Sequence, residues 1–511
     1  MSKEKQRQTS FSLKEQTTIL GYLFSFAKSE GLWFAGSIVA MIVASSLSAF
    51  LPIIIQRYID QYLSSRSATL QITLWVSGTY FGLLMLRMVI VYVKDYTFKM
   101  ASERTVANMR NNIYHKLGRL SLDYFNVTPN GEVVSRVTND TETIKEFWNV
   151  FLTFFDGFIN AATIGVAMFS LNAAMSWVFM AFIPIVLGLI YIYQKISTVV
   201  YRRMRQALGQ VNARLSESTM GMWLIQQFNQ TERMKAEFDK INQEYLIART
   251  NMFKMNALLL MPAINLIEQI VLVIVIWIFA GQLLGGTVVD VGIIYAFTSY
   301  TKSFFRPIGS MLDSLSVYQD GLVAASRGIA LLASDQTEPQ QATEMIDKAI
   351  EGRITIQDLT FSYDGAFDVL REIELNAEPG EMIAIVGHTG SGKSTIINLL
   401  MRFYEFQHGQ VMIDGQSIRQ MNKKSLRSQI GLVQQDAFMF YGNFYDNIRL
   451  HGDYTDEEVI EAAKFTGADE FISELEAGYE SPITEGGASL SAGQKQLINI
   501  ARTPATFTYF R

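Results

Sequence analysis

Before about residue 310 the chain carries apolar runs of membrane-spanning length, and these confine that half to a set of transmembrane helices. A helix rising 1.5 Å per residue needs about 20 apolar residues to cross a hydrocarbon layer of about 30 Å. Residues 33–55 and 72–93 form a first pair, the second containing Arg87, and residues 150–171 and 174–193 form a second pair with almost nothing between them. Residues 257–284 are long enough to span with tilt, and 288–309 make a more polar sixth candidate, so six spans are expected. The first run begins about 30 residues into the chain, is longer than the apolar core of a signal peptide and is followed by others, so it reads as a retained span.

Lysine and arginine set the orientation. They gather before the first span (Lys3, Lys5, Arg7, Lys14, Lys28), between spans two and three (Lys94 to Arg136) and between spans four and five (Lys195 to Lys235), while the links on the other side are short and nearly free of cations. A multi-pass protein of the cytoplasmic membrane with both termini in the cytoplasm is the expectation. The two cation-rich segments, 94–149 and 194–256, are long. Within them, 101–120 and 202–240 repeat their apolar residues at helical spacing with charges between, which predicts that the membrane helices continue into the cytoplasm.

Composition narrows the function. A formal net charge of −5 provides no basic field for nucleic acid, and the absence of cysteine removes disulfide frameworks, zinc–thiolate sites, iron–sulfur clusters and cysteine nucleophiles. Past residue 350 the texture changes to short β-rich runs, with strands expected at 353–359, 381–386 and 410–413. There Gly387-His388-Thr389-Gly390-Ser391-Gly392-Lys393-Ser394 fits the phosphate-binding pattern G-x-x-x-x-G-K-[ST] in full, between an apolar run (MIAIV) and an amphipathic one (STIINLLMRFY). Phosphate oxygens need converging backbone N–H groups, and glycine lets the chain curl that closely around them. The helix that follows turns its positive end to the anion, Lys393 supplies a mobile charge, the Ser394 hydroxyl suits Mg²⁺, and Thr395 can add a hydroxyl contact.

Companion motifs decide which nucleotide machine this is. Leu490-Ser491-Ala492-Gly493-Gln494 resembles the LSGGQ signature of ATP-binding cassette (ABC) proteins, Gln435-Asp436 after GLVQ resembles their Q-loop, and Tyr363 in FSYDG resembles their A-loop aromatic. Thr484-Glu485-Gly486-Gly487 lies where the exporter subfamily has its X-loop. Stretches 122–141, 217–228 and 319–327 resemble the intracellular loops and the span-six junction of ABC exporters. The chain thus resembles an ABC exporter half-transporter over about residues 15–503. The resemblance implies an α-helical six-span exporter transmembrane domain followed by an α/β P-loop nucleotide-binding domain, incomplete: a cytoplasmic segment at 1–30, the transmembrane domain at 31–330, a linker at 331–350 and the ATP-binding domain at 351–511.

By that resemblance two half-transporters pair, and each ATP with its Mg²⁺ lies between the P-loop of one and the signature of the other. Ser491 and the Gly493 backbone would face the γ-phosphate, Tyr363 would stack on adenine, and Gln435 would sense Mg²⁺ and the attacking water; an ordinary strand aromatic and a surface glutamine are the plainer readings of the last two. Loops around 126–134 and 210–218 would couple ATP binding to the spans, and a small hydrophobic or amphipathic substrate would sit among them, in contact with membrane lipid. Two in-span carboxylates, Glu268 and Asp156, are candidates for substrate contact or for interhelical bonding.

The sequence departs from the family twice. Ala492 replaces a signature glycine, as in exporters built from two different chains, which favours a heterodimer over a homodimer. After Thr503 the resemblance stops: no Walker B strand ending in Asp and Glu and no H-loop histidine follows, and His451 lies ahead of the signature and cannot fill that role. The expectation is a frameshift, early stop or gene-model error, giving a chain that binds ATP without hydrolysing it. Two other readings stay open: a non-catalytic ATP-binding subunit that completes a partner's site, and a soluble P-loop ATPase with a membrane anchor.

Overall fold

The computed structural model describes residues 12–259, 261–284, 290–338, 350–450 and 452–506. His451 and most of the 331–350 linker lie outside them. The chain divides into two compact units, one of Met1–Gly118 with Asn130–Ser334, the other of Arg119–Pro129 with Asp335–Arg511.

The first unit is helical. Five stretches are long and apolar enough to cross a membrane: Lys14–Leu63, Leu70–Leu117, Asn130–Leu171, Ile183–Met220 and Thr231–Gln282. The expected count of six is therefore not reached among the described residues. Positions 288 and 289 of the sixth candidate lie outside them, and the remainder begins the 42-residue helix Val291–Leu332, where Thr298, Thr301, Lys302, Ser303 and Arg306 dilute the apolar residues. The helices outrun the spans as their periodicity predicts. Leu70–Leu117 is one helix of 48 residues, about 72 Å at 1.5 Å per residue and more than twice a hydrocarbon layer.

Large side chains fill the centre of this unit, with Phe297, Tyr300 and Phe305 packing among Ile164, Met168, Val271, Val275 and Phe279. Glycine sets the closest approach of two helices. A Cβ at Gly321 would lie 2.5 Å from the Cβ of Phe147, which is fully buried on the facing helix Asn139–Leu171. Near the same contact Arg327 donates two hydrogen bonds to the carboxylate of buried Asp140, one of them at 3.0 Å from Nε to Oδ2.

The second unit holds a four-stranded antiparallel sheet in the order β2-β1-β3-β4, with β1 Ile354–Ser362, β2 Asp368–Ala377, β3 His408–Ile413 and β4 Gln416–Ser417. Ile356, Leu359, Phe361, Val411 and Ile413 bury against Ile396 and Leu399 of the helix Lys393–Leu400. Two of the expected strands thus fall in β1 and β3. The third does not form: residues 381–386 lie outside any strand, and Met382 and Val386 are 95% and 87% exposed. Residues 431–434 are likewise outside any strand. A strand exists by its ladder, and no segment among the described residues offers either run a partner. The α/β layer expected around the P-loop is therefore replaced, among these residues, by the antiparallel sheet. A second cluster gathers the helices Phe444–Arg449, Asp456–Thr466, Ala468–Ser473 and Ala492–Thr506 around Met439, Val459, Ile472 and Ile498.

Where the chain enters this unit, Glu338 accepts from Lys423 Nζ and Arg427, each at 3.2 Å. Burial alone would push the Glu338 carboxyl up, but those hydrogen bonds and charges outweigh it and hold the group below the usual carboxylate range. Burial lowers the Lys423 ammonium, and Glu338 offsets only part of that.

Candidate functional site

The nucleotide site is built on one loop and the helix it opens. Gly390 and Gly392 both sit at φ +86°, in the left-handed region that disfavours a side chain. Gly392 is needed for space as well, since a Cβ there would lie 2.7 Å from Leu370 Cδ2 and 3.3 Å from the Val369 carbonyl on β2. The loop closes through Ser391 N–H to the His388 carbonyl at 3.1 Å, and the helix starts as Thr395 and Ile396 donate to the Gly392 carbonyl at 3.0 and 3.2 Å. Lys393 Nζ curls back to donate to the carbonyls of Gly387 and His388, both at 2.8 Å, so its charge already stands at the loop. Gly387, Thr389, Ser391 and Ser394 are exposed. An exposed loop, a helix N-terminus and one lysine are the elements that can receive a phosphate. Among the described residues no cluster of three His, Asp or Glu side chains could hold a metal ion.

Tyr363 follows β1 directly. Its hydroxyl donates to Thr395 Oγ1 at 3.0 Å, on the helix that carries Ser394, and its ring meets Phe361 and Tyr404 edge-on at 4.8 and 5.0 Å. It keeps 43% of its surface exposed, which suits a ring that is fixed at its rim and available for stacking. Gln435 lies in an exposed bend with no hydrogen bond to the P-loop among the described residues. The neighbouring Gln434 carbonyl accepts from Asn499 Nδ2 at 3.0 Å, which ties this bend to the signature helix.

At the signature, Ser491 and Gln494 cap each other: Gln494 N–H donates to Ser491 Oγ at 3.2 Å and Ser491 N–H to Gln494 Oε1 at 2.9 Å. Ala492 and Gly493 open the helix Ala492–Thr506. Lys495 Nζ reaches the Gly486 carbonyl at 2.8 Å and joins this helix to the Thr484–Gly487 turn. Arg502 donates to the carbonyls of Asn447 and Phe438, and burial lowers its pKa. No hydrogen bond brings Ser491 or Gly493 to the P-loop of the same chain among the described residues.

Residues of the first expected coupling loop, 126–134, fall in the short helices Leu122–Val127 and Asn130–Val137, and Asn126 Nδ2 donates to the Tyr404 hydroxyl at 2.6 Å. Sequence reasoning missed Tyr404, although it closes the amphipathic run after the P-loop. The second loop, 210–218, lies within the helix Ile183–Met220, where Arg214 pairs with Glu217 and Glu237. Beyond it Met220 ends that helix, Trp223 lies in the short helix Met222–Gln227 and Phe228 follows it, at 75%, 70% and 64% exposure. Of the in-span carboxylates, Asp156 accepts from Lys94 Nζ at 3.0 Å, and Lys94 is buried. Lys94 ends an apolar run in the sequence and reads there as a loop cation. Glu268 is half-buried in the helix Met261–Leu284 without an ion pair among the described residues.

Comparison with known proteins places both halves. The model of the ABC transporter transmembrane region matches residues 34–308, and the ABC transporter model matches 370–507. A Streptococcus pneumoniae protein assigned by name to the ABC transporter ATP-binding proteins (exp8) is 37% identical over 96% of this chain and 84% of its own length. YheH of Bacillus subtilis, named for multidrug resistance and as an ATP-binding/permease protein, is 34% identical over 83% of this chain and 63% of its own. The multidrug resistance-like ATP-binding protein MdlB of Buchnera aphidicola is 31% identical over 88% and 77%.

Proposed function

The chain belongs to the ABC transporter family, transmembrane region first and ATP-binding domain second, and on that premise we propose that it is one half of a dimeric exporter of hydrophobic or amphipathic molecules. The observation that carries the reading is the P-loop, two left-handed glycines with the Lys393 ammonium on the loop carbonyls, in a chain with five membrane-spanning helices. Phosphates of ATP bind the amides of 387–395 and Lys393, Mg²⁺ takes the Ser394 hydroxyl and Gln435, and adenine stacks on Tyr363. Mg²⁺ bound there would neutralise phosphate charge, while Lys393, the loop amides and Tyr363 of this chain would position the nucleotide. The sixth span lies at the start of the helix Val291–Leu332, the protein sits in the cytoplasmic membrane, and both termini face the cytoplasm.

Among the described residues Ser491 and Gly493 make no hydrogen bond to the P-loop of their own chain, and the side chains of Trp223 and Leu224 at the helix Met222–Gln227 are exposed, which supports a second half-transporter as the partner. Ala492 sets a methyl group where the signature would approach a γ-phosphate, and this favours a non-identical partner.

The absence of cysteine makes the assembly directly testable. Chains carrying Ser391→Cys or Ala492→Cys should form a disulfide-linked pair only when a second half-transporter with the complementary cysteine is present. Cross-linking of this chain with itself would replace the heterodimer by a homodimer, and no cross-link with any half-transporter would sink the shared-site reading. Export is read by accumulation of a lipophilic dye in cells, which should rise with Lys393→Ala; equal accumulation would contradict it.

A further inference from the structure

The docked helix Leu122–Val127 is joined to the nucleotide site by an unbroken line of contacts. Asn126 Nδ2 donates to the Tyr404 hydroxyl at 2.6 Å, Tyr404 meets Tyr363 edge-on at 5.0 Å, and the Tyr363 hydroxyl donates to Thr395 Oγ1 at 3.0 Å. Every member lies in the same compact unit, because Arg119–Pro129 packs with Asp335–Arg511.

The chemistry at each step is suited to passing on a displacement. Thr395 is buried and follows Ser394 on the phosphate helix, so it moves with the loop that grips phosphate. Tyr363 is tied to that helix by its hydroxyl and offers its exposed ring to the base, so both ends of a bound nucleotide bear on one side chain. Tyr404 is 5% exposed and wedged between Phe361 and Tyr363, at centroid distances of 5.9 and 5.0 Å. Tyr404 itself is close-packed, so a shift of the Tyr363 ring toward it is passed on and not absorbed by a void. The one polar atom of the Tyr404 side chain holds Asn126, in a short helix that leads back through Gly118 to the long helix Leu70–Leu117. Burial, with the Asp123 carboxylate and Tyr363 nearby, pushes the Tyr404 phenol up to about 12, so it stays a neutral hydroxyl throughout the physiological range.

We infer that Tyr404 is a positioning residue that reports occupancy of the nucleotide site to the coupling helix, through Tyr363 on one side and Asn126 on the other. The inference rests on the proposed ATP site and adds to it a defined route out. Contact alone is not coupling, so the test must separate binding from its transmission.

The chain has no cysteine of its own, so Val127→Cys, at an exposed position beside Asn126, carries a single environment-sensitive fluorophore on the full-length chain in its membrane. MgATP is the probe. It should change the emission of this parent, with Lys393→Ala abolishing both the change and ATP binding. Adding Tyr404→Phe, which keeps the ring and removes the hydroxyl, should cut the emission change at least about threefold while the ATP Kd stays within about twofold. Asn126→Ala should do the same, and the two together should lose no more than either alone, since they break one link. Unchanged emission responses in both variants would overturn the relay, as would an ATP-binding parent that shows no response. Loss of affinity together with response would make Tyr404 part of the binding pocket and also overturn it. ATP binding indifferent to Lys393→Ala would fail the site reading itself, a result distinct from the others.

Discussion

Replacing Gly392 by alanine separates the two reasons for a glycine at the P-loop. The residue sits at φ +86°, where a side chain costs about 1–2 kcal/mol. Its new Cβ would also lie 2.7 Å from Leu370 Cδ2 and 3.3 Å from both Val369 Cγ1 and the Val369 carbonyl. The Leu370 tip cannot swing aside freely, because it is buried among Ile356, Phe361 and Leu399, and overpacking of this kind costs about 1–3 kcal/mol. The sum is about 2–5 kcal/mol at the start of the helix Lys393–Leu400. Gly390 has the same φ and nothing within 4 Å of its Cβ, so Gly390→Ala should cost only the first part, about 1–2 kcal/mol. Hydrogen exchange reads this locally, at the Thr395 and Ile396 amides that bond the Gly392 carbonyl. Their protection should fall about 30-fold or more in Gly392→Ala, since each 1.4 kcal/mol is a factor of ten, and clearly less in Gly390→Ala. Equal losses in the two variants, or a larger loss in Gly390→Ala, would refute the packing argument.

Three further changes probe other contacts. Gly321→Ala forces the helices Asn139–Leu171 and Val291–Leu332 apart at Phe147 and should cost about 1–3 kcal/mol, read as a lower melting temperature in detergent. Glu338→Gln bears on pH: the Glu338 carboxyl is held below its usual value, so its contribution is fully present above the unfolded carboxylate pKa and is lost as pH falls through the lower folded one. The native chain should therefore lose stability on acidification below about pH 4.5 more steeply than the variant, as followed by melting temperature against pH. Ser491→Ala removes the cap of the signature helix and should fray its first turn by about 1 kcal/mol, seen as faster exchange at the Gln494 and Lys495 amides.

The parts of this protein that the sequence made legible are those set by local pattern. Apolar runs of spanning length gave the membrane helices, and the spacing in 101–120 and 202–240 gave their continuation, because a helix satisfies its own backbone. The left-handed turns at Gly390 and Gly392 and the helix that opens at Lys393 were legible, since their geometry is local. What depends on distant partners was not. Residues 381–386 have the composition of a buried strand but remain unpaired and exposed among the described residues, because a strand needs a neighbour that local pattern does not supply. The sixth candidate span is not among the five helices long and apolar enough to cross a membrane: Lys302 and Arg306 sit inside the helix Val291–Leu332 and dilute its apolar residues. Lys94 and Tyr404 were missed because their roles come from partners 62 and 278 residues away in sequence, Asp156 in the one case and Asn126 in the other.

ATP affinity of the full-length chain in its membrane, with and without Lys393→Ala, tests the central claim most directly. Lys393 Nζ is poised on the loop carbonyls of Gly387 and His388, and a charge-assisted hydrogen bond to phosphate is worth about 1.5–3 kcal/mol. The account predicts that the native chain is photolabelled by an azido-ATP analogue and that the substitution weakens its affinity about 10- to 150-fold. Labelling of equal strength in the two chains would contradict it.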